Sequence, residues 1–523
     1  MIMNTAKKTP KEVNGTKSPG QGIGWLLVTA ALGGFMPVLD SGVVNLILPN
    51  LSKYFSTSLS TIEWVTMAYL LVISGLVIAL GRFGDLYGHK KIFLGGYIIF
   101  TAASLLCGLA PSIWMLIIFR GIQAIGGGML VSMSPAIITA NVAPASRGRA
   151  LSVTAVAMGV GTILGPVLGG FLATNFGWRS VFMINIPIGM IGFWMAQRTI
   201  PTQDEQEHAA QSFDLGGAAL ILFSLTAILL PLSLVENYSW GNPWILLSLG
   251  IGIVSAIGFI FYEKRRTDPL LDINLFQNRL FLMGNISTTL FYMAQYTILL
   301  LIPFYLQDLR GLTAQQTGIL YLPLPVIIIL IAPLSGYLSD RMDSRYISSA
   351  GMAIMALGIW QLSNLRADSA IIFLILGAAT LGLGSGLFLT PNNSAVMGSV
   401  PDSKRGVASG VLAMMKYIGM VLGVAISGAV FTSSRQGLMA SLKTQNLQAI
   451  PLTNAAFEGS LHITYLVGAA FAVIAVFTSL VKGSTKGQLV SQSDNMTGLH
   501  FEAEDSEAPI NSAGTKNDKA EGA

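Results

Sequence analysis

Residues 81–91 read GRFGDLYGHKK, and residues 336–345 read GYLSDRMDSR. Gly81 and Asp85 of the first segment match Gly336 and Asp340 of the second at a spacing of 255 residues. Each segment follows an apolar stretch of helical length and contains glycine, aspartate and basic residues. Such a polar segment, present twice at long spacing, indicates that the chain is built from two similar halves.

A second match lies further along each half. Arg147 and Gly148 correspond to Arg405 and Gly406, 258 residues later. The same spacing pairs four more small residues, namely Ala150 with Ala408, Gly161 with Gly419, Gly165 with Gly423 and Gly170 with Gly428. Two like-oriented halves predict a bundle with a site at the interface between them.

The composition requires a membrane. Of the 523 residues, 52% are hydrophobic and 11% are charged, and the mean hydropathy is +0.65. A soluble domain has about 25% charged residues, so this much apolar surface needs lipid as its solvent. The formal charge of +5 lies mainly between apolar runs, so we expect contact with membrane lipid and no nucleic-acid partner.

Fourteen apolar runs are long enough for helices that cross the roughly 30 Å hydrocarbon core. They are 25–48, 62–81, 91–110, 113–136, 149–173, 179–197, 214–235, 243–262, 280–305, 313–338, 346–364, 370–392, 406–432 and 461–481. The predicted fold is all-α and integral to the membrane. Its parts are an N-terminal segment (1–24), a six-helix bundle (25–200), two inserted helices with linkers (201–279), a second six-helix bundle (280–481) and a disordered tail (482–523).

The distribution of basic residues predicts the orientation. Most of the 30 Lys and Arg residues fall on the side that carries both termini. The opposite side has only Lys53, Arg179, Arg310, Arg366, Arg435 and Lys443. Positive charge marks the cytoplasmic side, so we expect a multi-pass protein of the cytoplasmic membrane with both termini in the cytoplasm.

The single cysteine, Cys107, excludes an internal disulfide.

Five further segments complete a set of motifs. They are LDSGVVNLILP (39–49), RGIQAIGGG (120–128), GTILGPVLGG (161–170), GWRSVFMINIPIG (177–189) and PNNSAVMGSVP (391–401). Together with GRFGDLYGHKK they resemble the motifs of the major facilitator superfamily and, within it, the fourteen-span drug:proton antiporters of the EmrB/QacA type. The resemblance implies two six-helix bundles plus two inserted helices, and export of small hydrophobic compounds or drugs in exchange for protons. Leu86 and Asp343 depart from the usual pattern of the repeated loop.

Two charged residues lie inside apolar runs of the first half. A carboxylate such as Asp40 in hydrocarbon costs several kcal/mol unless it faces a cavity, finds a partner or holds a proton. Burial disfavours the charged form of a carboxyl group, which suits proton exchange near neutral pH. The alternative is a structural hydrogen bond to Asn45 or to a neighbouring helix. The resemblance implies proton transfer for Arg120, whose alternative is a helix-end arginine reaching the interface.

Glu63 and Lys416 are further candidates for proton coupling. Glu63 lies at the outer end of the second run, where an interfacial Glu beside aromatic residues is an equal alternative. Lys416 lies in the thirteenth run and can lose its proton when desolvated. It can equally serve as a counter-ion to Asp40 or to substrate.

The repeated loop is the predicted gate. Its glycines permit a tight turn, and Asp85 is suited to cap a helix N-terminus. By resemblance, that helix is the thirteenth run near residues 406–409, and the contact closes the cytoplasmic side in one state. The predicted gating residues are Gly81, Arg82, Asp85, Gly88, Asp340 and Arg341.

Two further groups have structural alternatives of their own. The motif associated with antiport predicts a close-packed helix face formed by Gly161, Gly165, Pro166, Gly169 and Gly170, with no substrate contact. Met and aromatic side chains adapt to varied hydrophobic cargo, and the predicted cavity residues are Tyr292, Met293, Gln295, Tyr296 and Met415. Helix packing or an interfacial belt is the alternative for this second group.

Other functions are disfavoured by what the sequence lacks. It has no metal-ligand spacing and no GxxxxGK[ST] phosphate loop, so we expect no enzyme activity, metal or cofactor. A channel or receptor is a remote alternative. A lipid or lipid-linked flippase and a metabolite or peptide exporter remain alternatives on the same scaffold, and a periplasmic adaptor remains open. Few acids lie in the apolar runs, so we expect neutral or monovalent cargo rather than dications.

Overall fold

The computed structural model describes residues 19–143, 146–201, 214–234, 238, 241–266, 271–401, 404–443 and 449–483. Within these ranges the chain is helical and contains no strand. The helices are α1 (Pro19–Phe55), α2 (Leu59–Ile62), α3 (Trp64–Tyr87), α4 (His89–Leu109), α5 (Ile113–Asn141), α6 (Arg147–Phe176), α7 (Trp178–Met183), α8 (Asn185–Thr199), α9 (Leu215–Leu234), α10 (Pro243–Lys264), α11 (Arg279–Phe304), α12 (Ala314–Leu320), α13 (Pro323–Arg341), α14 (Ser344–Ser363), α15 (Ile371–Gly398), α16 (Arg405–Lys443) and α17 (Ala449–Val481).

Three pairs of helices follow each other almost without a break, namely α2 with α3, α7 with α8, and α12 with α13. The helices therefore form fourteen rods, and each predicted run overlaps one rod. Twelve helical segments in the described ranges are long and apolar enough to cross a membrane. The other two rods are α9 and α14, each 20 residues long. The all-α membrane fold is confirmed.

Local sequence explains several helix ends. Gly88, at φ +91°, is the single residue between α3 and α4, and this backbone conformation favours glycine. Asp343 caps α14, because its side chain accepts a hydrogen bond from the Arg345 amide. Thr313 and Gln316 form a capping box at α12, and Pro323 occupies the first turn of α13, where no amide donor is needed.

The helices pack closely within each half of the sequence. In the first half, α1 packs on α6, and α5 packs on both α3 and α4. In the second half, α14 packs on α15 and α17, and α11 packs on α16. The intervening helices α9 and α10 pack on each other, and α9 also contacts α3. The domain boundaries stay a prediction, and most of 1–24 and 482–523 lies outside the described residues.

Contacts between the halves surround a central space. They join α3 with α16, α6 with α12 and α13, and α1 with α11. Two of them are backbone approaches, because a Cβ at Gly170 would lie 2.8 Å from Gln315 Cα and one at Gly318 would lie 2.9 Å from the Pro166 carbonyl carbon. Small residues let the helices approach this closely. The candidate site lies in the space that these helices enclose.

Candidate functional site

A cavity of about 230 Å³ lies between the two halves. Its walls come from α1, α3 and α6 on one side and from α11, the α12–α13 rod, α15 and α16 on the other. On α11 the lining residues are Tyr292, Gln295, Tyr296 and Leu299. This spacing of three, four and seven residues is that of a single helix face. A face of α11 is thus turned toward the space that a cargo would occupy.

Only part of the predicted set lies in the cavity lining. Tyr292, Gln295 and Tyr296 line the cavity, whereas Met293 and Met415 lie outside its lining. A Cβ at Gly423 would lie 2.8 Å from the Met293 carbonyl oxygen, so the Met293 backbone packs against α16. Met415 faces Thr289 of α11, whose hydroxyl donates to the Met415 carbonyl oxygen at 3.3 Å. Both methionines therefore serve the α11–α16 packing.

Lys416 is the charged residue of the cavity lining. Its Nζ lies 5.4 Å from the ring centroid of Tyr292 and 5.7 Å from that of Tyr417. These distances are within the range of a cation–π contact. The alternative that Lys416 is a counter-ion to Asp40 does not describe this structure, because Asp40 pairs with another residue.

Asp40 and Arg120 form an ion pair in the interior of the first half. Both residues are about 1% exposed, and Arg120 Nη1 donates to Asp40 Oδ2. Arg120 Nε also donates to the Val65 carbonyl oxygen at 3.0 Å. The sequence placed each charge in an apolar run on a different helix, α1 and α5. The structure brings them together, so the unfavourable burial of each charge is offset by the other.

Two amide side chains complete the surroundings of Asp40. Gln123 Nε2 donates to Asp40 Oδ1 at 3.1 Å, and Asn185 Nδ2 donates to the same oxygen at 2.7 Å. Gln123 also accepts from Arg120 Nη1 at 2.7 Å. Asn45, the predicted alternative partner, instead accepts from Thr66 Oγ1 at 2.8 Å. Asp40 is therefore tied to α5 and α8 rather than to its own helix.

Tyr69 of α3 lies between the ion pair and the cavity. Its ring lines the cavity, and the guanidinium carbon of Arg120 lies 4.2 Å from the ring centroid. Asp40 and Arg120 are not part of the lining, although Ser41 is. A molecule in the cavity would thus touch Tyr69, and Tyr69 touches Arg120.

Glu63 lies where α2 meets α3 and is fully buried. A Cβ added at Gly428 of α16 would overlap its Oε2. The carboxyl group therefore lies against the other half of the molecule, and Glu63 is not among the described residues that line the cavity.

The two halves are held together at the Glu63 end of the molecule. Lys53 Nζ lies 2.8 Å from Asp308 Oδ1, and Gln307 Nε2 donates to the Leu46 carbonyl oxygen at 2.8 Å. The Gln315 amide donates to Thr174 Oγ1 at 3.1 Å. These cross-half contacts close the cavity at this end.

The predicted gating segment lies at the other end. Asp85 is exposed, and its Oδ1 lies 3.0 Å from His89 Nε2. Nothing lies within 4 Å of a Cβ built at Gly81 or at Gly406. Asp85 here contacts the first residue of α4, and capping of the α16 start stays a prediction for another state.

The second copy of the loop differs from the first. Asp340 and Arg341 are exposed at the end of α13, and the Arg341 guanidinium lies 4.4 Å from the ring centroid of Tyr337. Asp343, the residue that departs from the usual pattern, caps α14. The second copy thus has a helix-capping carboxylate, and the gating role of Asp340 and Arg341 stays a prediction.

The glycine face of α6 packs against α1. A Cβ at Gly161 would lie 3.2 Å from the Phe35 carbonyl oxygen, one at Gly165 would lie 3.1 Å from the Leu39 carbonyl oxygen, and one at Gly169 would lie 3.0 Å from Val43 Cα. These approaches exclude larger side chains. Two members of the predicted face have contacts beyond α1. Gly170 packs against α12 of the other half, and Pro166 lines the cavity.

Sequence reasoning missed several residues of this site. Gln123 and Asn185 lie inside two of the quoted motifs, and neutral amides within apolar runs were a usable signal. Tyr69, Tyr321 and Tyr417 line the cavity, but an aromatic residue in a membrane helix does not by itself indicate which way it faces.

Known proteins resemble most of this chain. The model of the Major Facilitator Superfamily matches residues 30–424. Riboflavin transporter RibZ of Clostridioides difficile is 34% identical over 417 residues, which cover 78% of this chain and 89% of that protein. Cephamycin export protein CmcT of Amycolatopsis lactamdurans is 32% identical over 421 residues, covering 80% and 86%. Multidrug resistance protein Stp of Mycobacterium tuberculosis is 30% identical over 426 residues, covering 81% and 78%.

Solved structures share the fold at low sequence identity. A bacterial homolog of the human lysosomal transporter Spinster, inward-facing and unoccupied, has a TM-score of 0.64 at 16% identity, covering 89% of this chain and 98% of that chain. A D-xylose–proton symporter has a TM-score of 0.60 at 15% identity, covering 87% and 97%. The family match, the transporter relatives and the helical fold together show that this multi-pass membrane protein belongs to the Major Facilitator Superfamily and is a transporter.

Proposed function

We propose that the chain is a proton-coupled exporter of small hydrophobic compounds, working by alternating access across the cytoplasmic membrane. We also propose that it belongs to the fourteen-span drug:proton antiporters, with both termini in the cytoplasm. The helices α9 and α10 between the halves support the fourteen-span assignment. Relatives named as multidrug resistance and antibiotic export proteins support export.

One observation carries the coupling. The Asp40–Arg120 ion pair is buried, and it is linked to the cavity through the ring of Tyr69. While Arg120 is present, its guanidinium balances the charge of the Asp40 carboxylate. If Arg120 shifts away, the carboxylate loses its counter-charge in a medium of low dielectric and takes up a proton. A cargo that presses the Tyr69 ring against Arg120 holds the ion pair together and so disfavours the protonated carboxyl group, which makes cargo and proton compete.

The contacts that close the Glu63 end indicate how the protein changes conformation in the proposed cycle. Cross-half contacts at Lys53, Gln307 and Glu63 hold the molecule shut at what we propose is the outer side. Opening this end requires Gly428 to separate from Glu63, which exposes a second buried carboxyl group to the outer half of the pathway. In that state the Asp85 carboxylate caps the start of α16 and closes the cytoplasmic side, as the repeated loop predicts.

A second candidate function is export or uptake of a particular metabolite. The relative named as a riboflavin transporter favours it at 34% identity, and so does a cavity lined with tyrosine rings. Cargo competition in one assay separates the two candidates. A multidrug exporter moves several unrelated hydrophobic dyes, whereas a dedicated carrier moves one compound and is not inhibited by the others.

Proteoliposomes provide the test. Purified protein is reconstituted in vesicles with an acidic lumen, and uptake of a fluorescent hydrophobic compound is followed with and without a protonophore. We expect uptake that depends on the pH difference and stops when the protonophore removes it. Uptake at the same rate without any gradient contradicts proton coupling. An ion current through single molecules would indicate a channel.

A further inference from the structure

Among the described residues that line the cavity, one side chain is charged, and it is basic. This residue is Lys416, and the described lining includes no aspartate or glutamate. Asp40 and Glu63, the acids predicted for the pathway, are engaged elsewhere, and so is Asp308 at the closed end. Asp40 pairs with Arg120, Asp308 pairs with Lys53, and Glu63 lies against Gly428. A cation that enters this cavity therefore meets a positive charge and no lining carboxylate to balance it.

Tyrosine rings usually offer a site for cations, because the face of an aromatic ring is negative. Five tyrosines line the cavity, Tyr69, Tyr292, Tyr296, Tyr321 and Tyr417. Three of them already have a cation from the protein itself. Lys416 lies over Tyr292 and Tyr417, and Arg120 lies over Tyr69. Three of the five rings thus already have a cation of the protein beside them, which a cationic drug would have to approach or displace.

The Lys416 ammonium group favours an anionic or electron-rich partner on a bound molecule. Its Nζ contacts two rings, and no ion pair to it is found in the described part of the chain. A lysine ammonium within a membrane bundle is costly unless water or an acceptor solvates it. An anionic or electron-rich group on a bound molecule supplies that acceptor. Neutral amide and hydroxyl groups nearby, from Gln295 and Ser41, suit the polar edge of a ring system.

The cavity size limits what enters. About 230 Å³ is just below the roughly 300–1,000 Å³ of pockets that enclose drug-sized ligands. A flat fused-ring compound fits between aromatic walls by offset stacking, which prefers ring centroids about 4.5–7 Å apart. A bulky or branched molecule needs the cavity to widen.

We infer that the cavity binds flat aromatic compounds that are anionic or neutral, that Lys416 selects their charge, and that the site disfavours cationic drugs. This inference deepens the proposed function, because it assigns the cargo class of the same site. It narrows the sequence-based expectation of neutral or monovalent cargo by excluding monovalent cations.

Two dyes with the same ring skeleton and opposite charge provide the test. Fluorescein is anionic and rhodamine 123 is cationic at neutral pH, and riboflavin is a neutral fused-ring probe. Binding to the purified full-length protein is measured by equilibrium dialysis against matched detergent micelles, which corrects for partition into detergent. No proton gradient is present, so a failure of proton coupling does not affect the result.

We expect fluorescein and riboflavin to bind more tightly than rhodamine 123, fluorescein by about tenfold or more. Lys416→Met should weaken fluorescein binding about tenfold while leaving rhodamine 123 binding unchanged or improved, and Lys416→Arg should keep the wild-type order. Lys443→Met is the matched control, because Lys443 is an exposed lysine at the end of the same helix. It should change nothing.

Three results would overturn the inference. They are rhodamine 123 binding as tightly as fluorescein to the wild type, Lys416→Met weakening both dyes equally, and no binding of any probe to monodisperse protein. If the binding order holds while proteoliposome uptake ignores the gradient, then the proton-coupling proposal fails and the cargo class stands.

Discussion

The guanidinium of Arg120 on α5 pairs with the carboxylate of Asp40 on α1, and both side chains are almost completely buried. Removing one partner of such a pair leaves a buried charge without compensation and costs about 3–5 kcal/mol, whereas replacing both by neutral groups is much less damaging. Separating the two charges is therefore costly as long as both groups stay ionised and buried. In the proposed cycle, protonation of Asp40 is what makes the separation of these two groups tolerable.

The ring of Tyr69 is predicted to transmit cargo binding to this pair. Tyr69→Phe keeps the ring over Arg120 and should retain proton-coupled transport, because the buried Tyr69 hydroxyl has no hydrogen-bond partner in the described structure. Tyr69→Leu removes a cation–π contact of about 1–2 kcal/mol and should reduce cargo-induced proton movement at least severalfold. A pH-sensitive dye in the lumen of proteoliposomes measures it.

The two Tyr69 variants control for each other, because phenylalanine and leucine are similar in size but only phenylalanine has an aromatic ring. Equal proton movement in Tyr69→Leu and Tyr69→Phe would show that the ring does not link the cavity to Arg120.

Two glycines of α16 should respond differently to the same substitution. A Cβ at Gly428 would overlap the Glu63 carboxylate, whereas one at Gly410 would lie 3.5 Å from Ile78, an ordinary contact. Gly428→Ala should hinder closure of the Glu63 end and cost about 1–3 kcal/mol through overpacking. Gly410→Ala should be neutral. Thermal unfolding and initial transport rates of the two purified variants measure the difference.

Because both substitutions replace glycine by alanine in one helix, the gain in helix propensity is similar for both and cannot separate them. A Gly428→Ala protein as stable and as active as Gly410→Ala would mean that Glu63 is not held against α16 in the working protein.

The α11 face shows what the sequence could predict of the cavity. Tyr292, Gln295 and Tyr296 were predicted for the cavity from residue type, and in the structure they line it at the spacing of one helix face. Met293 was placed with them on residue type alone. One residue along a helix rotates the side chain by about 100°, and Met293, one position after Tyr292, lies outside the lining.

Charge was the stronger signal for the buried site. Asp40 and Arg120 stood out because a charge in an apolar run is costly and needs an explanation. Their pairing was not predicted, because the sequence alone does not indicate which faces of α1 and α5 pack against each other. Gln123 and Asn185 carry no charge and were overlooked, although they donate to Asp40. Helix-face geometry, not residue type, was the missing information.

A loop ion pair should give the protein a defined acid response. Lys404 Nζ donates to Asp272 Oδ2 at 2.7 Å, and this hydrogen bond lowers the pKa of Asp272 below its ordinary value of 3.8, against a smaller opposing effect of burial. Because the folded pKa is below the unfolded one, the stabilisation is present above about pH 4 and is lost as the pH falls through the folded pKa.

Asp272→Asn should therefore lower the thermal midpoint slightly at neutral pH, by no more than about 2 °C for an exposed pair of at most about 1 kcal/mol. The deficit relative to the wild type should vanish as the pH falls below about 4. Scanning calorimetry in detergent measures it, with Lys404→Met as the matched variant. A deficit that grows with acidity would contradict the assignment.

The most direct measurement uses three proteins in the same proteoliposome assay, namely the wild type, Asp40→Asn, and the neutral pair Asp40→Asn/Arg120→Gln. The double variant removes both buried charges together, so it should fold and bind cargo, and it controls for the instability of the single variant. The account predicts that the wild type accelerates cargo uptake when the lumen is acidic, while neither variant responds to the gradient. Gradient-driven uptake at the wild-type rate by the double variant would contradict it.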